Sequence, residues 1–261
     1  MNRIPSLFIS HGAPTFALEP GTAGPQLTAL GYGLPRPEAV LVVSPHWMTA
    51  EPRVTTSARP RTIHDFGGFG AALFDINYPA DGHPALAART IEILRAAGWP
   101  AVADSKRGLD HGAWVPLLHL YPGADVPVFQ VSMPSSLDTK AAFEFGRTLA
   151  PLASEGVLIV GSGSVTHNLY ALRFGMEQDE QSAEFAQWVR ESVVRGKRER
   201  VLRALEIAPH ARRAHPTPEH YLPLPIAAGA GPEGEAEVLE GGMTHGVLCM
   251  DSFVFGRRAH A

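Results

Sequence analysis

The sequence predicts an α/β fold, a central mixed β-sheet flanked by helices, and three observations carry that expectation. Apolar runs at residues 5–9, 39–43 and 157–160 have the length and continuous hydrophobicity of strands covered on both faces. Segments with helical spacing alternate with them, the arrangement that builds helix-covered sheets. A hydrophobic share of 45% and a charged share of 18% over 261 residues leave enough apolar side chains for a sizeable core. No internal repeat, low-complexity tract or composition shift divides the chain, so residues 1–261 are expected to form a single domain.

In chain order, the first strand stops at His11-Gly12, and residues 11–37 read as loop with a helical turn or two around 26–30. The second strand, 39–44, is apolar throughout, and 53–57 alternates weakly enough to be a further strand. Residues 62–69 are too rich in glycine for a helix. Leu86, Ile91 and Leu94 set a helix over 84–97, closed by Gly98. A second helix opens at Leu109-Asp110-His111 and stops at Pro122-Gly123, placing His119 on a helix face. A strand over 126–133 follows, then a helix over 137–152 whose first turn carries Asp138, where the macrodipole favours negative charge. The strand at 157–160 ends in Gly161-Ser162-Gly163, a cluster expected to let backbone approach a ligand closely. A long charged helical pattern covers 179–205 with a break near Gly196, and alternation at 236–240 and 247–255 suggests two closing strands.

Several functions are excluded at this stage. Lys plus Arg number 22 against 26 Asp plus Glu, a net charge of −4, which gives no basic face for nucleic acid. The single cysteine, Cys249, rules out an intrachain disulfide and a thiolate-rich zinc site. Met1 leads straight into a strand without a signal-peptide core, and no stretch is long enough to span a bilayer, so a cytoplasmic protein is the expectation. His-Glu-x-x-His and Gly-x-Ser-x-Gly are both absent.

The histidines are the chemically informative residues, 12 in all. His11, His46 and His167 each stand just past the end of one of the three apolar runs. In an open α/β sheet, ligands bind outside the carboxyl ends of the strands, and neutral imidazole is the commonest metal ligand. A metal site at the strand C-terminal ends is therefore expected. His220 follows Pro218 at a helix-start signal, with Glu219 beside it as a rival ligand, and His215 there has the simpler reading of a helix-start residue. His83 precedes a helix-start proline, His260 lies in the tail, and neither these nor His119, His210 and His245 carry a signal of their own.

Six blocks taken together resemble the DOPA-type extradiol dioxygenases, a branch of the class III ring-cleaving enzymes related to protocatechuate 4,5-dioxygenase. They are Ser10-His11-Gly12-Ala13-Pro14, Ser44-Pro45-His46-Trp47, Ile63-His64-Asp65-Phe66-Gly67-Gly68-Phe69, Asp110-His111-Gly112, Gly161-Ser162-Gly163 with His167-Asn168-Leu169, and Pro216-Thr217-Pro218-Glu219-His220-Tyr221. The resemblance implies metal ligands at His11, His46 and His220. It implies an acid/base histidine at His167, near enough to serve as a fourth ligand, and a substrate pocket lined by His111, His64 and Asp65. In the wider class the third ligand is a glutamate; here a histidine stands in that block with Glu219 as its neighbour. A carboxylate would complete a triad for non-haem Fe(II), whereas three imidazoles also suit catalytic zinc.

The reaction implied is insertion of both atoms of O2 into a catechol ring beside its two hydroxyls, with Fe(II) expected as cofactor and Zn(II) as the other metal suited to the site. The partners implied are a small catechol and O2, with no nucleic acid or membrane; oligomeric state is left open. His111 would serve as a second catalytic group, donating to bound oxygen or to a substrate hydroxyl. Trp47, Phe66 and Phe69 are candidates for an aromatic wall, and Arg59 and Arg61 are the cations nearest the motifs. Two rival classes use the same residues: a zinc hydrolase with metal-bound water as nucleophile, and a binding relative without catalysis.

Overall fold

A computed structural model describes residues 4–172 and 178–256; His260 lies outside the described residues. The first half contains β1 (Ser6–Ser10), α1 (Ala23–Gly33), β2 (Ala39–Val43), β3 (Met48–Thr49), β4 (Arg53–Thr55), α2 (Pro84–Ala96), β5 (Val102–Asp104), α3 (His111–Leu120) and β6 (Val128–Gln130). The second half contains β7 (Met133–Pro134), α4 (Thr139–Leu149), β8 (Val157–Gly163), α5 (Glu180–Val194), α6 (Arg198–Ile207), α7 (Ala211–Ala214) and α8 (Pro223–Ala230). It closes with β9 (Ala236–Leu239), β10 (Met243–Thr244), β11 (Leu248–Cys249) and β12 (Ser252–Phe255). Among the described residues no helix is long and apolar enough to cross a membrane.

Six strands form one mixed sheet in the order β6-β2-β8-β1-β12-β9. The first four run parallel, and β12 and β9 close the edge antiparallel. Every residue of β1, β2 and β8 is buried, as their continuous apolar runs require. Alternate side chains point to opposite faces. Leu7, Ile9, Val40, Val42, Leu158 and Val160 pack on one face with residues of α1 and α3. Leu41, Val43, Val157 and Ile159 pack on the other with α2, α4 and α8. Burying each such side chain stabilises the fold by about 1.5–3 kcal/mol, so the three parallel strands are the rigid floor of the molecule. Cys249 of β11 is buried, and burial pushes its thiol pKa up.

Several boundaries differ from the sequence expectation for local reasons. The strand expected over 126–133 is two short pieces, β6 and β7, because Ser132 turns to donate and accept around β4: its Oγ accepts from the Arg53 N–H (2.7 Å). The charged pattern over 179–205 is, as expected, two helices broken at Gly196, whose φ of 61° suits glycine. Helix α8 gave no amphipathic signal because it is buried nearly all round, with Pro223 in its first turn. The glycine cluster is corrected in role. Gly161 and Gly163 lie inside β8, and side chains there would collide with the carbonyls of Pro223 and His220, so the missing Cβ atoms admit the start of α8 rather than a ligand. The His220 carbonyl then accepts from the Ser164 N–H at 2.9 Å.

Gly163→Ala is expected to lower stability by about 1–3 kcal/mol through overpacking against backbone that cannot swing aside. Urea unfolding of the variant beside the parent measures it; an unchanged midpoint would show that the β8–α8 seam is looser than described.

Candidate metal centre

Because β1, β8 and β2 are adjacent and parallel, their carboxyl ends open at one edge of the sheet, and each supplies an imidazole there. His11 is the residue after β1, and its N–H donates to the Gly163 carbonyl (2.9 Å), which extends the ladder one residue and fixes the side chain. His46 lies in the turn between β2 and β3: its N–H donates to Ser44 Oγ (3.2 Å), and β3 is held in place by pairing with β7. His220 arrives from the far side of the sheet on the loop that the glycines of β8 admit. The three rings lie 5.0 Å (His11–His46), 5.1 Å (His46–His220) and 5.5 Å (His11–His220) apart between centroids.

Hydrogen bonds fix which nitrogens face inward. Pro116 sits within α3 and has no N–H, so the carbonyl four residues earlier, that of Gly112, lacks its helical donor. The Ser162 hydroxyl of β8 donates to that carbonyl instead. Ser162 Oγ has thereby spent its proton and must accept from His11 Nδ1, at 2.9 Å. His11 is consequently the Nδ1–H tautomer, and its Nε2 lone pair faces the cluster. His220 repeats the pattern: its Nδ1 donates to Glu219 Oε1 (3.3 Å), and its Nε2 is buried with no hydrogen-bond partner. His46 Nε2 is 3.1 Å from His11 Nε2, the separation of two nitrogens each about 2.1 Å from a shared cation at roughly a right angle. An orphaned buried nitrogen, two facing nitrogens and outer partners that set the tautomers fit a metal ion.

Other groups gather around these three. His167 stacks on His220 with centroids 3.4 Å apart and planes at 7°, and the donor atoms of His167, Glu219 and His220 lie within 4.8 Å of one another. His11, His46 and His111 form a second such group. His111 is the first residue of α3, where the buried Asp110 caps the helix by accepting from the Ala113 N–H (3.2 Å). Asp65 accepts from the His111 backbone N–H at 2.8 Å, and its carboxylate lies 3.1 Å from His111 Nδ1 and 3.8 Å from His46 Nδ1. Phe66 meets His111 edge-on at 5.6 Å, and Phe69 packs on Phe66.

Not every candidate joins the cluster. His64 donates from Nε2 to the Ile76 carbonyl (2.9 Å) among Phe66, Phe74 and Trp114, so Asp65 alone of that pair touches the clustered histidines. Trp47 is buried under the Arg107 guanidinium, 5.4 Å from its ring centroid. His215 is buried and donates from Nε2 to the Val165 carbonyl (2.8 Å), holding the loop that leads to His167. Ser162, Arg107, Asp110 and Gln130 escaped the sequence reading as supporting groups, since nothing local marks their partners. Gln130 donates to the Asp110 carboxylate (2.9 Å) and accepts from the Asp110 N–H (3.0 Å). The Asp-His-Gly block is the one trace of this arrangement in sequence, an N-cap directly before a histidine.

Burial keeps His11, His46, His167 and His220 uncharged at neutral pH. It lowers His11 and His220 well below the ordinary histidine value of 6.5, and the neighbouring imidazoles add to the effect. His46 is pushed down to about 3 by burial and by His111, against an opposing pull from Asp65. His167 falls to about 4 through burial, with Glu219 pulling the other way. For Asp65, burial would raise the pKa, but hydrogen bonding from His111 outweighs it and holds the carboxyl at about 2. At neutral pH the site is thus a ring of lone pairs beside a carboxylate, which is what a cation requires.

The sequence and the fold have relatives among known proteins. A family model described as the catalytic LigB subunit of aromatic ring-opening dioxygenase matches residues 7–256. A 4,5-DOPA dioxygenase extradiol of Beta vulgaris is 39% identical over 96% of this chain and 96% of its own. One of Escherichia coli K12 is 41% identical over 87% of this chain and 85% of its own. The crystal structure of an uncharacterized protein from Escherichia coli K12 superposes with a TM-score of 0.79 at 33% identity, covering 97% of this chain and 100% of that one.

Two outcomes follow from the tautomers and pKa shifts. Folded His46 and His167 take protons only near about 3 and 4, while unfolded histidines take them near 6.5. The metal-free protein should therefore be most stable above pH 6.5 and lose up to about 1.4 kcal/mol per pH unit for each neutral histidine as pH falls through that window. Urea midpoints at pH 7 and 5.5 test it, and equal midpoints would contradict an uncharged cluster. Ser162→Ala frees the His11 ring and is expected to weaken metal retention by about 10–100-fold, measured by competition with a chelator.

Proposed function

The chain belongs to the LigB family of aromatic ring-opening dioxygenases, and we propose that it opens a catechol of the DOPA type at a ferrous ion held by His11, His46 and His220. It is a metal-dependent extradiol dioxygenase, acting on a small aromatic substrate with O2. We take residues 1–261 as one catalytic domain, and the cytoplasm as its compartment, in keeping with a lone buried cysteine.

The observation that carries the ligand assignment is the inward-facing set of nitrogens: the His11 lone pair fixed by Ser162, the facing His46 Nε2 and the unpartnered His220 Nε2. When bound, iron supplies sites for both catechol oxygens and O2 and a route for electrons between them, chemistry that redox-inactive zinc does not offer. Glu219 supports the reading as an outer partner, since its carboxylate accepts from His220 Nδ1 and from Thr217 Oγ1 (2.8 Å).

His167 receives the substrate proton. Burial keeps its ring neutral in the resting protein, so it begins as an acceptor. An anionic catecholate beside it raises its proton affinity toward the useful range, and the same proton is available later for the departing oxygen. Its stacking on His220 holds the ring parallel to one of the histidines proposed to bind the metal. His111 donates to an oxygen of the reacting pair, with Asp65 setting its position at the first turn of α3. Phe66 forms the wall against His111, and Asp65 links that wall to His46.

Anaerobic loading with Fe(II), followed by catechols in air, should give a yellow ring-opened semialdehyde with matched uptake of O2. Product without oxygen consumption would defeat the proposal. His11→Ala and His46→Ala should lose metal, whereas His167→Ala should keep it and lose about 10²–10⁴-fold in turnover. Equal metal loss in all three, by elemental analysis, would make His167 a ligand.

A further inference from the structure

A metal ligand is useful only if its backbone is held still. For His11 the strand ladder does this, and for His220 the packing of its carbonyl against Gly163. His46 sits in a turn, and a side chain from elsewhere holds it: Arg107 Nη2 donates to the His46 carbonyl at 3.0 Å. The same guanidinium lies over the ring of Trp47, 5.4 Å from its centroid, so Arg107 grips two successive residues of that turn. Its own backbone is tied as well, because the Arg107 N–H donates to Asp104 Oδ1 at 2.9 Å.

Arg107 Nη2 also lies 3.5 Å from Oδ2 of Asp110, whose side chain is wholly buried. Asp110 in turn is fastened to the sheet. Gln130, the last residue of β6, accepts from the Asp110 N–H through Oε1 (3.0 Å) and donates from Nε2 to Asp110 Oδ2 (2.9 Å). Its own N–H donates to Thr55 Oγ1 at 2.7 Å. With both ends of its amide used, Gln130 cannot turn over without losing a bond. The helix start and the turn also touch directly, since a Cβ on Gly112 would stand 2.9 Å from His46 Cδ2. A chain of bonds thus runs from the sheet through Gln130, Asp110 and Arg107 to the carbonyl of His46.

We propose that Arg107 is a positioning residue for His46, with Asp110 as its fixed anchor, so that metal affinity depends on an ion pair standing outside both groups of clustered donor atoms. This role rests on the assignment of His46 as a ligand and does not depend on which catechol is cleaved. A buried ion pair contributes little net stability, because desolvation of the two charges offsets much of their attraction. What such a pair supplies here is geometry: a planar guanidinium fixes direction as well as distance at the carbonyl, which a flexible ammonium would not. Groups that hold a ligand from behind commonly govern how tightly the cation is kept.

Co(II) is a suitable probe, since its visible absorption reports ligand geometry as well as binding. The metal-free full-length chain is titrated with Co(II) against a chelator. Arg107→Met keeps an apolar stem over Trp47 but removes both hydrogen bonds; it should weaken Co(II) binding by about 10–100-fold and shift the absorption bands. Asp110→Asn should act in the same direction. The double variant should bind within about threefold of the weaker single one, because the two residues act as a unit. Leu94→Ala, a change at a buried position of α2, should lower the urea midpoint and leave Co(II) affinity at the parent value. Losses that multiply in the double variant, or an equal loss of affinity in Leu94→Ala, would overturn the positioning role. Should Asp110→Asn not fold, Arg107→Met and Leu94→Ala decide between them. Parent-like Co(II) binding by Arg107→Met refutes the positioning role alone, whereas a parent protein that binds no Co(II) refutes the metal centre and this role together.

Discussion

The centre depends on a hydroxyl proton that has one place to go. Pro116 removes a helical N–H, the Gly112 carbonyl is left without its donor, and Ser162 supplies the missing proton. Only then is Ser162 obliged to accept from His11. A buried imidazole without such a partner would distribute its proton between two nitrogens, and half of that population could not bind a cation. The proline in α3 therefore acts on the site from a distance, through a carbonyl, a hydroxyl and a ring.

The same economy of placement recurs in the sheet. Parallel neighbours β1, β8 and β2 end at one edge, so His11, His46 and His167 meet with no long-range coincidence beyond strand order. His220 must come from elsewhere in the chain. Two glycines in β8 allow it by letting the backbone ahead of α8 lie directly on the strand. Packing density then does for His220 what hydrogen bonding does for His11, since a carbonyl pressed against Gly163 has little freedom to shift.

Much of this was legible in the sequence, for identifiable reasons. Continuous apolar runs reveal buried parallel strands, and a histidine directly after each run is a short-range signal, so His11, His46 and His167 could be read from spacing. His220 could not: its surroundings resemble any helix start, and only the likeness to a known family singled it out. Ser162 was visible merely as one residue of a glycine-rich turn, because its partners His11 and Gly112 lie 151 and 50 positions away. Two-residue strands such as β3 and β7 leave no periodicity to detect, and α8, apolar on every side, looks like neither helix nor strand. His64 was over-read: being next to Asp65 in sequence does not bring it to the same side of the backbone.

Catechols exposed to oxygen also form ortho-quinones, electrophiles that capture ionised sulfhydryls. The one sulfhydryl here is shut inside the closing hairpin and kept in its protonated form. Arylation of the protein at sulfur by its own oxidised substrate thus finds no exposed, ionised sulfhydryl, because the short strand that carries Cys249 folds it inside.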